Sequence, residues 1–197
     1  SHRVETASAT VFDANYSRDK AGRIVEATTT VESASTARDY VYDTAGRLTE
    51  VRVGGSTRHS YQYGPNGNRI QHSGPNGTEL GSYDDQDRLT RYDGTDYNYD
   101  AAGDLISKTG PNGTTSYDYD AQNNLRGVEL ASGKEIDYLI DGRNRRVGKT
   151  VNGQLNKAWV YKDQLNPVAQ LDGSGQVTHR FIYGAKPNVP AYMIKDG

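Results

Sequence analysis

The stretch Tyr40 to Glu50, YVYDTAGRLTE, decides the fold. Tyr40 and Tyr42 share one face of an extended strand, because strand side chains alternate with period two. Asp43 follows at once, an Asx residue able to hydrogen-bond the backbone of a turn that it opens. Gly46 supplies a position where positive φ carries no steric cost. Arg47 and Leu48 restart an extended segment. The unit reads as strand, tight turn, strand: a β-hairpin joint.

The joint recurs along the chain. Aligned on the residue before the turn aspartate, its copies fall at Arg18, Tyr42, Tyr63, Tyr83, Tyr99, Tyr119, Ile140 and Tyr161, with steps of 24, 21, 20, 16, 20, 21 and 21 residues. A period near twenty marks a repeat architecture. The Gly46 position returns as Gly22, Gly67 and Gly103, and as Asp87, Asn123 and Asn144, the residue types that best tolerate left-handed geometry after glycine. The eighth copy has Leu165 there, followed by Asn166-Pro167, and predicts a looser loop. Between joints lie second turns at Gly54-Gly55-Ser56, Gly74-Pro75-Asn76-Gly77, Gly110-Pro111-Asn112-Gly113, Ser132-Gly133-Lys134 and Asn152-Gly153. Tyr40/Tyr42, Tyr61/Tyr63, Tyr97/Tyr99 and Tyr117/Tyr119 alternate cleanly before their turns. The strands after them, Leu48 to Val53 and Leu125 to Leu130, place apolar residues on both faces of a regular strand.

These signals predict an all-β fold: tandem β-hairpin repeats of ~20 residues forming one long curved antiparallel meander. Residues 1–197 make a single segment of roughly sixteen strands, two per joint. Sheets beyond about ten strands curl, split or flatten. Closed on itself, this one would make a ring roughly 25–35 Å across, so the chain can be part of a container wall but not the container.

Composition bounds the function. Valine, isoleucine, leucine and phenylalanine together fall under the ~20% share that accompanies disorder, but the net charge is only -2 and there are 15 tyrosines. A tyrosine-cored chain burying roughly 70% of its unfolded surface is expected. The 23 basic and 25 acidic residues are interspersed, which argues against nucleic acid and anionic membranes as partners. No apolar run reaches the ~18 residues of a membrane span, and no cysteine offers a disulfide or a thiolate metal site. The chain opens without a signal peptide or initiator Met, reads as a piece of a longer protein, and begins with Ser1-His2, which resembles a tag remnant.

The Y-x-Y-D-x-x-G-R-L joint, repeated in phase, resembles the YD repeat of Rhs proteins, with relatives in the shell subunits of Tc toxins and in teneurins. The signature residues are Tyr40, Tyr42, Asp43, Gly46, Arg47 and Leu48; Tyr61, Tyr63 and Gly67; Tyr97, Tyr99, Asp100 and Gly103; and Tyr117, Tyr119 and Asp120. Trp159 to Met193 resembles the last repeats before the Rhs core-associated region, whose DHLGS- and DPxG-like stretches are not found. The resemblance implies a β-sheet spiralling into a hollow shell around a C-terminal toxin or effector. It implies a secreted, cell-surface or secretion-system-delivered protein whose partners are the remaining shell repeats and the cargo. An alternative is a carbohydrate-binding adhesion module using exposed tyrosine rows. A meander also has two edges, which predicts edge-to-edge self-association.

No residue pattern points to catalysis, a metal or a cofactor. His2, His59, His72 and His179 each stand alone, without HExxH spacing or a cysteine partner. Asp19, Asp43, Asp100, Asp120 and Asp141 read as turn caps rather than a calcium ladder, because no DxDxDG loop occurs. Arg23, Arg47 and Arg69 read as stacking on tyrosines or pairing with the aspartates of neighbouring repeats rather than binding an anionic ligand. The tyrosine rows read as a structural ladder ahead of a sugar platform.

Overall fold

Turn chemistry places the strands, and every regular element among the described residues is a strand. The structure, a computed structural model, describes residues 2–5 and 10–195; Ser1 and the side chain of His2 lie outside the described residues. Two compact units divide the chain, Ser1–Asp93 and Gly94–Gly197.

In the first unit, β1 (His2–Glu5), β2 (Thr10–Arg18), β3 (Ile24–Val31), β4 (Ala34–Tyr42), β5 (Leu48–Val53), β6 (Ser56–Tyr63), β7 (Arg69–Gly74), β8 (Gly77–Tyr83) and β9 (Leu89–Tyr92) each pair antiparallel with the next. In the second, the same holds for β10 (Thr95–Tyr99), β11 (Leu105–Gly110), β12 (Gly113–Tyr119), β13 (Leu125–Glu129), β14 (Glu135–Ile140), β15 (Arg146–Val151), β16 (Gln154–Tyr161), β17 (Pro167–Asp172), β18 (Val177–Tyr183) and β19 (Pro190–Lys195). The eight joints flank β2 to β17. The sixteen-strand expectation missed β1, β18 and β19 because a joint announces only its own two strands.

Each joint carries a register shift at the same place. Tyr42 pairs with Leu48 and Val41 with Glu50, leaving Thr49 as a bulge. The shift recurs after Arg18, Tyr63 and Tyr83 in the first unit, and after Tyr99, Tyr119, Ile140, Tyr161 and Tyr183 in the second. Bulges bend a strand and raise its twist locally. They also change which residues share a face: Leu48, Val51 and Val53 all pair with residues on the Tyr40/Tyr42 face. The two-faced apolar reading of this strand therefore gives way to one apolar face, restored by the extra residue.

Burial differs from the expectation of a tyrosine core. Only Ala14 (1% exposed) and Ala27 (5%) are buried apolar residues among those described, and no large side chain is fully buried. Tyr40, Tyr42, Tyr61, Tyr63, Tyr97, Tyr99, Tyr117 and Tyr119 are half-buried. The reason is layering: within each unit, strands touch only their sequence neighbours, so one face of every strand has no second layer against it. The chain exposes 12939 Å², against about 9,200 Å² for a compact globule of its mass. It buries about 59% of its unfolded surface rather than the expected share.

Candidate functional site

The side chains that recur, those of the joint, form the candidate site. At Asp43 the backbone closes twice. The Asp43 N–H donates to the Arg47 carbonyl at 2.9 Å, and the Gly46 N–H donates to the Asp43 carbonyl at 3.0 Å. This is a type I turn whose fourth residue is left-handed, with φ +83° at Gly46. Asp87, Asn123 and Asn144 take the same conformation at φ +61°, +61° and +63°. The Leu165 copy departs from it: Lys162 N–H still reaches the Asn166 carbonyl, but Asp163, one residue later, does the capping.

The aspartate seals the turn. Asp43 Oδ1 accepts the Arg47 N–H at 2.9 Å and Oδ2 accepts Arg47 Nε at 2.8 Å. The arrangement recurs at Asp19 with Arg23, Asp84 with Arg88 and Asp141 with Arg145. Asp100 and Asp120 accept two backbone amides each. The carboxylate oxygens thus face amides and guanidinium, leaving a calcium ladder little to use. The ion pair lies within one joint, not between neighbouring repeats, because the turn brings residue i+4 directly over the aspartate.

What crosses between repeats is the other end of the arginine. The Arg23 guanidinium lies 4.8 Å over the Tyr42 ring, Arg47 4.8 Å over Tyr63 and Arg145 5.0 Å over Tyr161. The tyrosine hydroxyl then donates back to the strand leaving the previous joint: Tyr42 to the Ile24 carbonyl at 2.7 Å, Tyr63 to Leu48 at 2.7 Å and Tyr161 to Arg146 at 3.1 Å. Tyr83 and Tyr183 do the same with Arg69 and Pro167. Aspartate, arginine and tyrosine form one chain of contacts from joint to joint. Arg69, shifted by one residue, lies instead between the Tyr61 and Tyr92 rings at 6.0 and 5.6 Å. Asp104 replaces the arginine of the Gly103 joint, and no cation stacks on Tyr119 among the described residues; burial first, and then the Asp104 charge, raise that phenol's pKa.

A second device links joints that lack the arginine. Asn68, Asn124 and Asn166 stand in its place, and each donates its amide to the left-handed residue of the next joint: Asp87 at 2.6 Å, Asn144 at 2.6 Å and Asn188 at 3.1 Å. After Arg23 and Arg47 that residue is glycine, Gly46 and Gly67, whereas Arg145 is followed by Leu165 and bonds the Asp163 carbonyl at 2.9 Å. A Cβ on Gly46 would lie 3.3 Å from Arg23 Nη1, and one on Gly67 would lie 3.9 Å from Arg47 Nη1. The repeat thus uses two matched pairs, Arg with Gly and Asn with Asn or Asp. From residue type alone Asp87 and Asn144 read as tolerable left-handed residues; the pairing is signalled only by comparing position i+4 of one joint with i+3 of the next.

Comparison with known proteins agrees with this geometry. The family model described as teneurin YD-shell matches residues 1–196. The chain belongs to that family. Among solved structures, a Tc holotoxin pore from Photorhabdus luminescens aligns with 94% of the YD-shell chain at TM-score 0.56 and 13% identity. A crystal structure of TcdB2-TccC3 aligns with 89% at TM-score 0.53 and 11% identity. These likenesses concern the fold. The YD-shell chain spans only 12% and 14% of those two chains. No curated protein matches it.

The histidines of the YD-shell chain are less isolated than the sequence suggested. His59 Nδ1 lies 3.0 Å from His72 Nε2, and His72 Nδ1 lies 3.0 Å from Glu79 Oε2. Tyr92 donates its hydroxyl to the same Glu79 oxygen, and Arg69 donates to Tyr92 at 3.1 Å. The His72 ring stacks between His59 and Tyr61, with centroids 5.2 and 5.0 Å away. Gly74 makes the space, since a Cβ there would lie 2.9 Å from His59 Nδ1. Sequence spacing hid this cluster, because strand register and not local separation brings residues 13 apart together. His179 is bonded locally, to Gln170 and Thr178.

The joints set an acid limit. The Arg47 amide and then its side chain hold the Asp43 carboxyl below its ordinary 3.8. Arg23, Arg88, Asn124 and Arg145 lower Asp19, Asp84, Asp120 and Asp141 in the same way. A carboxyl depressed on folding adds stability above its unfolded value, and that stability is lost as pH falls through the folded one. Urea midpoints are expected to be flat down to about pH 5 and to drop steeply below about pH 4. Equal midpoints at neutral pH and at pH 3 would contradict the pairing.

Proposed function

We propose that this YD-shell chain is a non-enzymatic wall segment, residues 1–197 acting together, that with further repeats of a parent chain encloses a C-terminal polypeptide cargo in an exported particle. The observation that carries the reading is where the side-chain contacts go. Aspartate, arginine, tyrosine and asparagine are used to tie joint to joint, while almost no apolar core is built among the described residues. A single layer that leaves so much surface exposed suits a partition with material on either side. The test is limited proteolysis of the parent chain with its cargo. Cargo fragments are expected to survive until Tyr42→Ala and Tyr63→Ala are introduced together. Cargo cleaved equally fast in both proteins would refute containment.

The tyrosines favour this reading over glycan binding. At Tyr42 and Tyr63 one ring face carries a guanidinium and the hydroxyl is already bonded to a carbonyl, which leaves less of these rings for a sugar.

The outer edge of β19 invites strand addition. β19 pairs with β18 alone in its unit, and Tyr192, Met193 and Ile194 are exposed at 58%, 53% and 41%. Light scattering of the 197-residue chain is expected to show mass rising with concentration. Ile194→Lys is expected to suppress the rise; a monomer at all concentrations would count against the edge.

A further inference from the structure

A groove on the first unit has the makings of a binding site unrelated to the joints. It encloses about 570 Å³ and is lined by Thr36 and Arg38 of β4, Val51 and Val53 of β5, and Ser56, Thr57, Arg58 and His59 of β6. That volume falls within the roughly 300–1,000 Å³ of ligand sites. Its composition is divided: two valines supply apolar surface, and two guanidinium groups and an imidazole supply polar and cationic groups.

Register explains the convergence. Arg38 pairs with Val53 and His59 with Val51, so these four share a sheet face. Arg58 would fall on the opposite face in a regular strand. It is the extra residue of a bulge, however, since Val51 pairs with His59 but Arg52 pairs with Thr57. This bulge lies away from the joints, and bulges of that kind re-aim a side chain. Here the re-aimed side chain is a cation brought to a groove that already holds one.

Charge bookkeeping places both groove arginines among those without an acidic partner. Arg23, Arg47, Arg52, Arg88 and Arg145 each bond a carboxylate. Arg38 and Arg58 have no such partner among the described residues. The nearby carboxylate, Glu50, is already taken by Arg52 at 2.7 Å and by the Thr57 hydroxyl at 3.1 Å. His59 is engaged on Nδ1 by His72. The half-buried Arg38 guanidinium without an anion is a standing cost, which a ligand carboxylate would offset through charge-assisted forked bonds while the exposed Arg58 adds a second donor.

We infer that the groove binds an extended peptide segment in which an acidic side chain is flanked by apolar ones. The carboxylate would lie between Arg38 and Arg58, with the apolar neighbours on Val51 and Val53. β4, β5 and β6 are paired on both edges, so backbone addition is ruled out and recognition must run through side chains. An inorganic oxyanion would use the arginines and leave the valines and most of the volume unfilled.

The test is fluorescence anisotropy of the whole 197-residue chain with a labelled octapeptide of alternating valine and glutamate, against its glutamine counterpart. The glutamate peptide is expected to bind at least about tenfold more tightly, a margin that shrinks with added salt. Arg38→Gln with Arg58→Gln is expected to abolish the difference. Arg58→Gln alone, at an exposed bulge, is expected to remove about threefold of it, and tests the idea should the double variant fail to fold. Equal affinity for the two peptides, or discrimination unchanged in either variant, would overturn the site. Inorganic phosphate displacing the peptide, together with no loss on replacing its valines by serine, would overturn the peptide occupant and leave an oxyanion site.

Discussion

Gly173→Ala is expected to destabilise the second unit by about 3 kcal/mol or more, the range of a forced backbone shift in a packed site. The methyl group would overlap the Leu155 carbonyl oxygen of β16, a backbone atom with no rotamer by which to move aside. Gly175, two residues on, separates this effect from ordinary turn strain. It is left-handed at φ +83° and a Cβ there meets nothing within 4 Å. Gly175→Ala is therefore expected to cost only about 1 kcal/mol. Urea unfolding of the two variants side by side is the measurement. Equal losses would mean that the chain leaves Asp172 differently from the structure, because only close approach distinguishes the two positions.

That contrast shows what the sequence carries. Asp172-Gly173-Ser174-Gly175 is a turn, closed by the Gly175 N–H on the Asp172 carbonyl at 3.1 Å, and its residue types alone mark it as one, because a turn is written in four consecutive residues. The reason Gly173 must be glycine lies on another strand, and no local pattern records it. The same division holds throughout. The joints at Asp43, Asp100 and Asp120 are legible from residue type, and the left-handed roles of Asp87, Asn123 and Asn144 follow from their alignment with Gly46. The bulge after Tyr42 is not legible, and without it Leu48 falls out of phase with Val51 and Val53. Tyr40 and Tyr61 are half-buried rather than part of a closed tyrosine core, because period-two alternation reveals a face but not whether another layer covers it. His59 and His72 meet only through the β6–β7 register. In the joint itself, the sequence held the matched residues Asn124 and Asn144, but their meaning needed the knowledge that consecutive joints stack edge to edge.

Exchanging one matched pair for the other gives the second large effect. Gly46→Asn alone places a side chain against Arg23 Nη1, which must yield by a few tenths of an ångström, and is expected to be destabilising. Arg23→Asn alone removes the guanidinium from the Tyr42 ring and from Asp19, with a larger loss. Together, the two introduced amides can adopt the bond seen between Asn124 and Asn144 at 2.6 Å. The double variant is therefore expected to be more stable than the sum of the single losses by about 1–2 kcal/mol, as for residues in direct contact. Asn is tolerable at the left-handed position, as Asn123 and Asn144 show at φ +61° and +63°, so backbone strain does not mask the coupling. Gly46→Ala, with the same Cβ but no amide, supplies the control: combined with Arg23→Asn it relieves the clash but cannot make the bond. If both double variants recover equally, the coupling is steric and the asparagine pairs are incidental. Recovery confined to the asparagine double variant would show that hydrogen bonding between successive joints sets which repeat can follow which.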